Sequence, residues 1–147
     1  MMNHMESNES IMVMLIAMAL AGLVTGMNSF VNSKSDIRVN MNDFYMGVMM
    51  AGVMFLLMGV YYRSKKLIVV GVVITVIIFI CIRRQIFIGE KEYLESMIPH
   101  HSMAVLMTKR LEEKGEIKKQ ELRELMKNII NTQEKEIELM KKLLNNS

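Results

Sequence analysis

One cysteine, one proline, three histidines and no tryptophan are found among the 147 residues of this chain. A lone thiol, Cys81, set in an apolar helix, can form no intrachain disulfide and gives no information on redox compartment. No nucleophile stands beside a base and no glycine-rich phosphate loop occurs, so the chain reads as a non-enzyme. Glu92 and Glu95 precede the histidine pair His100 and His101, but not at the Glu-x-x-His spacing of a di-iron bundle. Strand-like alternation is missing from the polar part, which leaves an all-α chain. Charge is scarce too: residues 1–89 hold seven Lys/Arg and four Asp/Glu, whereas residues 90–147 hold eleven of each. The net charge of +3 therefore arises wholly in the first part, and a neutral polar part argues against a nucleic-acid partner.

What fills the charge-poor part is apolar. Three segments, about 11–31, 44–62 and 67–88, match the roughly 20 helical residues that a bilayer core asks for, so the lipid bilayer is the first partner. The third is short in its apolar core, but Arg83 and Arg84 can snorkel and Ile86, Phe87 and Ile88 extend it. The first could be mistaken for a cleaved signal peptide, yet Glu6 and Glu9 precede it without any basic residue and no clear small-residue cleavage site follows, so it stays as an anchor. The loop Arg63, Ser64, Lys65, Lys66 is the densest basic loop and places itself inside, with the C-terminal part outside. Arg83, Arg84, Lys34 and Arg38 pull the other way. Met46, Met50, Met54 and Met58 stripe the second segment at a step of four, joined by Met12, Met14 and Met18 in the first. Helix packing in lipid, aided by Gly47, Ala51, Gly52 and Gly59, explains them better than a thioether path for ions. The opening MMNHM is a loose soft cluster.

From residue 89 the pattern turns helical and polar. Residues 90–113 form one expected helix, Lys114-Gly115 a cap and turn, and residues 116–144 a second helix. In the second, Leu122, Leu125 or Met126, Ile129, Gln133, Ile137, Met140 and Leu144 recur at steps of three and four, which is one apolar face. A two-helix hairpin buries too little apolar surface to offset its ordering entropy. The expected architecture is thus three transmembrane helices (1–88) followed by a soluble helical hairpin (89–147) that assembles into a four-helix, ferritin-like bundle by homo-oligomerisation.

The stretch MIPHHSMAVLM, residues 97–107, carries the chemistry. On a helix, Met97 and His101 are four apart, His100 and Met103 three apart, and Met103 and Met107 four apart, so soft donors gather on adjoining turns. Thioether with imidazole favours cuprous copper over magnesium, calcium or zinc. Pro99 disturbs the turn before it, giving a kink or a helix start. With the turn centred near Gly115, His100 lies level with Ile129 and Ile130, Ala104 with Met126, and Met97 with Gln133. Met126 and Gln133 then close the site, and Met140, opposite Glu90, serves a second site or a neighbouring chain. The competing use of the methionines is core filling, and of the histidines a pH-sensitive interface.

Met97, Ile98, His100, His101 and Ala104, followed by Ile129, Gln133, Glu136, Ile137 and Met140, fit the pattern MI-x-HH-x-x-A and I-x-x-x-Q-x-x-EI-x-x-M. In this the chain resembles the domain-of-unknown-function 305 family, and its first part resembles the subgroup with three membrane helices ahead of that domain. The resemblance implies a ferritin-like helical bundle, a copper-handling role and a hairpin facing outward from the cell (inner) membrane. It departs from longer relatives in having one short hairpin. The resulting expectation is a membrane-anchored copper-binding protein that sequesters cuprous ions or hands them on, with a copper exporter or chaperone as a candidate partner. Its metal residues are His100, His101, Met97, Met103, Met107, Met126, Gln133 and Met140. The alternative is a structural membrane protein whose hairpins oligomerise without metal.

Overall fold

The computed structural model describes residues 8–146, and the MMNHM cluster lies outside them. Among the described residues the regular structure is helical: α1 (Asn8–Thr25), α2 (Met41–Tyr61), α3 (Lys65–Arg84), α4 (Glu90–Lys114) and α5 (Gln120–Asn145). Two short 3-10 turns, Met27–Phe30 and Lys34–Asp36, follow α1. The chain divides into two compact units, one of Met1–Gly26 with Met41–Phe87 and one of Met27–Asn40 with Ile88–Ser147.

In the first unit, α2 packs against both α1 and α3. Three segments, Glu9–Phe30, Met41–Tyr61 and Lys65–Arg84, are long and apolar enough to cross a membrane. The seam of α2 is a step-four row of Gly47, Ala51, Phe55 and Gly59, all buried. Small side chains let backbones approach where no hydrophobic effect drives helices together. Gly71 of α3 shows how close: a Cβ there would stand 2.7 Å from the Leu56 nitrogen and 2.8 Å from the Gly52 carbonyl oxygen. Met46, Met50 and Met54 sit one position away from that row and are exposed, so the methionine stripe flanks the seam and does not form it. The α2–α3 turn is tight because Arg63 takes the left-handed conformation and the Ser64 hydroxyl accepts from the Leu67 N–H, capping α3.

The second unit departs from a bare hairpin. The first apolar span, Glu9–Phe30, is α-helical as α1 to Thr25 and ends in the 3-10 turn Met27–Phe30, and Met27–Asn40 belongs to the unit that holds α4 and α5. Its polar residues prefer local and long-range hydrogen bonds to a helical ladder. The Asn28 side chain both donates to the Arg38 carbonyl (2.6 Å) and accepts from the Arg38 N–H (2.9 Å), closing this strap on itself. Asp36 then fixes it to the hairpin: its carboxylate accepts from the Ser102 hydroxyl of α4 at 2.6 Å and pairs with Lys141 of α5 at 2.7 Å. The Asn32 N–H donates to the same Ser102 hydroxyl at 2.8 Å. One face of the hairpin is thus covered from within the chain.

Pro99 lies inside α4, which starts nine residues earlier at Glu90; it is therefore not a helix start. Gly89 N–H donates to the Glu92 carboxylate at 3.1 Å, and Gly115, at φ 68°, ends the helix in the left-handed conformation that lacks a Cβ penalty. The second helix begins at Gln120, later than the expected 116, because Ile117 is buried in the connection and Arg123 donates to its carbonyl at 2.6 Å. This longer turn shifts the register. Met97 and Met140 pack in the same apolar cluster with Leu94, Ile98, Val105 and Ile137, so Met140 is level with Met97, and not with Glu90. Gln133, expected opposite Met97, lies seven positions before Met140 on α5, about 10 Å away along the axis at 1.5 Å per residue.

Candidate metal centre

The two histidines take different environments because neighbours on a helix point about 100° apart. His100 is exposed, whereas the His101 side chain keeps only 14% of its surface. Their ring centroids are 6.0 Å apart and inclined at 60°. The Nδ1 atom of His101 lies 3.0 Å from Glu136 Oε2 of α5. That is ion-pair distance, and the buried Nδ1 makes no other protein contact that would satisfy it. Burial pushes the His101 pKa below the ordinary imidazole value, His100 adds to that, and the Glu136 carboxylate offsets part of it. A half-buried imidazole beside a carboxylate is chemically a pair of groups able to serve as metal donors.

The sulfur residues do not converge with this pair as a set. Met126 and Met140 are both buried on α5 but stand 14 positions apart, about 21 Å along one helix, so no single ion takes both. Met97 and Met140 belong to the apolar cluster of the hairpin, the environment of core filler. Met107 is 61% exposed, and Met103 and Gln133 are half-buried. Among the described residues, no three His, Cys, Asp or Glu side chains gather as a metal cluster. Of the eight residues expected from sequence, the two histidines stand side by side on α4, and the neighbour that sequence reasoning left without a role is Glu136. It stood in the motif, but only the register of the hairpin pairs it with His101.

The brace of the strap supports this centre through the chain. Ser102, held by Asp36 and Asn32, follows His101 directly and fixes the α4 backbone at that level. An unpaired buried nitrogen costs stability, so His101→Leu is expected to raise the unfolding free energy of the metal-free protein by about 1 kcal/mol. Denaturant unfolding of the two forms in chelator checks it. A loss of stability instead would mark His101 as a structural residue.

Three helices long enough to span a membrane, followed by a strapped helical hairpin with a His-Glu pair, define an all-helical protein with a compact polar unit. Residues 88–144 match the family described as Domain of unknown function (DUF305). The "Uncharacterized protein L153" of Acanthamoeba polyphaga mimivirus is 38% identical over 143 residues, covering 94% of this chain and 93% of that protein. The chain belongs to this family. The likeness to the mimivirus protein runs through the apolar helices as well as the hairpin. No solved structure matches the chain.

Proposed function

We propose that this is a non-enzymatic, membrane-anchored copper-binding protein that holds copper ions at the His100-His101 step of its hairpin and sequesters them or hands them to an exporter or chaperone. The observation that carries the reading is the buried Nδ1 of His101, 3.0 Å from the Glu136 carboxylate and without any other protein partner. A protein tolerates such an atom where a ligand is to satisfy it. His101 and Glu136 would hold the ion, with His100 at the adjoining position. Imidazole suits copper in either oxidation state; the carboxylate adds a harder donor than the thioethers and admits cupric as well as cuprous ion.

Anchoring rests on the three apolar helices and on the strap. Met27–Asn40 precedes α2 and the hairpin follows α3, so two crossings separate them and return the chain to the same side. The bonds from Asp36 to Ser102 and Lys141 require that shared side. The basic loop Arg63 to Lys66 lies on the other side in this topology, and the bias of Lys and Arg toward the cytoplasm makes the hairpin face away from it.

Titration of the full chain in detergent with cuprous ion against a competing chelator tests the reading. The His100→Ala, His101→Ala double variant is expected to lose affinity by about a hundredfold, the upper end of what supporting ligands contribute to a metal site. Unchanged affinity would remove copper binding at this step. A second reading is a structural protein without metal, and the burial of Met126 and Met140 in the hairpin favours it. That reading expects no copper uptake by the parent chain. Accessibility labelling of a cysteine introduced near the C-terminus, in intact cells, reports which side the hairpin occupies.

A further inference from the structure

The helical spacing of the hairpin separates its surface into two sides. Along α4 the inward row is Leu94, Ile98, His101, Val105 and Thr108, and along α5 it is Met126, Ile137, Met140 and Leu144. In two antiparallel helices, the positions that follow each inward row turn to one side of the pair and those that precede it turn to the other. The following positions are Ser102 and Lys109 on α4 and Glu134, Glu138 and Lys141 on α5. These are the residues that meet the strap or one another: Ser102 and Lys141 hold Asp36, and Lys109 pairs with Glu134 at 2.7 Å. The strap covers this side at Ser102 and Lys141, while Lys109, Glu134 and Glu138 line its open part.

The preceding positions read differently. On α5 they are Leu125, Ile129, Thr132, Glu136, Leu139 and Leu143, spaced four, three, four, three, four, which is a second heptad seam beside the one that packs on α4. Leu125, Leu139 and Leu143 are about half exposed. On α4 the same side carries Tyr93, His100 and Met107 at steps of seven, all exposed. An apolar seam on each of two adjoining helices, spaced as in bundle packing, is a surface built to receive two more helices. On this side His100 and Glu136 stand at one level of the hairpin, as the Glu136 contact to the neighbouring His101 shows.

We propose that this side is a twofold interface with a second copy of the chain, and that the copper site is completed across it by His100, His101 and Glu136 of both copies. The site half of this rests on the copper reading; the interface half does not. Three observations select a second copy as the occupant. The seam spacing of the surface matches itself, since two hairpins paired side by side present identical rows to each other. The imidazole of one copy and the carboxylate of the other, being at one level, meet as complementary charges in such a pairing, where each level meets itself. In one chain His101 and Glu136 make a donor pair with His100 at the adjoining position, and no three His, Cys, Asp or Glu side chains gather as a cluster among the described residues; a twofold axis brings a second such set to the same level. The strap occupies the opposite side at Ser102 and Lys141 and charged residues line the rest of it, so the assembly stops at two hairpins and four helices.

The test uses the full chain in density-matched detergent, with its mass measured by sedimentation and its copper affinity by chelator competition. The parent chain is expected to sediment as a pair and to take up one copper ion per pair. Leu139→Lys, at an exposed position that tolerates a charge in a single chain, is expected to sediment as one chain. Its copper affinity should fall about tenfold or more, as when a metal site loses supporting ligands. Helix content should be unchanged by circular dichroism. Asn131→Lys, on the strapped side of α5, is expected to change neither reading. A parent chain that binds copper one to one as a monomer overturns the interface and leaves the copper reading intact. A pair that binds no copper overturns the shared site together with the copper reading and leaves the interface. A monomer that binds none overturns both halves.

Discussion

Asp36→Ala is expected to cost the hairpin unit about 3 kcal/mol, the low end of what removing one partner of a buried ion pair costs. Asp36 keeps 3% of its surface and holds three partners: Ser102, Lys141 and the Ser35 hydroxyl. Removing the carboxylate leaves the proton of the fully buried Ser102 hydroxyl without its acceptor, and leaves Lys141 with the Ser35 hydroxyl at 3.2 Å and Glu138 at 3.5 Å. Lys141 retains 21% of its side-chain surface, so water relieves part of the loss and keeps the figure at the low end. Hydrogen exchange of the full chain in detergent reads the effect directly: protection across α4 and α5 falls by about two orders of magnitude, the equivalent of that free energy. An unchanged protection pattern would mean that the strap is not held by Asp36.

The same carboxylate sets an acid limit. Burial pushes its pKa up, but the Lys141 and Ser102 hydrogen bonds and the Lys141 charge outweigh that and leave it below the ordinary 3.8. The unfolded chain then binds the proton at higher pH than the folded chain does. Stability from Asp36 is therefore fully present above about pH 4 and is lost as pH falls through the lowered value. An Asp36→Asn variant starts from the weaker state and lacks that part of the acid loss, which a comparison of the two proteins' unfolding between neutral and acid pH measures.

How far these features were legible depends on the reach of each signal. Helices were legible because their patterns are local: a run of apolar residues sets α2 and α3, and steps of three and four set α4 and α5. Asp36 was not, because its partners Ser102 and Lys141 lie 66 and 105 positions away and a single acidic residue in a polar loop carries no pattern. For the same reason, Met27–Phe30 read as the end of an apolar helix, when Asn28 turns that segment back on Arg38. The histidine pair stood out by its rarity. Its partner did not, because pairing across a hairpin depends on the length of the turn, and the turn is set by burial of Ile117 and the Arg123 bond to its carbonyl. A connection of residues 115–119 in place of the two-residue turn moved Gln133 away from Met97 and brought Glu136 to His101.

Ile98→Ala is the substitution expected to cost most, about 3–4 kcal/mol, the middle of the range for truncating a large aliphatic side chain in a core. Ile98 is fully buried in a cluster with few other members, Leu94, Val105, Ile137 and Met140, with Met97 and Leu144 against it. A small core has little slack to close a cavity, and a unit of this size has only a few kcal/mol in reserve, so the variant should lie near the edge of folding. Leu139→Ala gives the comparison. At 56% exposure in the single chain, Leu139 has little to lose there, and truncation should cost under about 0.5 kcal/mol as a surface change. If a second hairpin covers it, the same truncation behaves as a core change and its cost rises toward that of Ile98. Unfolding of both variants at low and high protein concentration separates the cases. Ile98→Ala should be costly at both concentrations, while Leu139→Ala should be nearly silent when dilute and costly when concentrated. A Leu139 effect that ignores concentration would leave the heptad seam of α5 without an occupant.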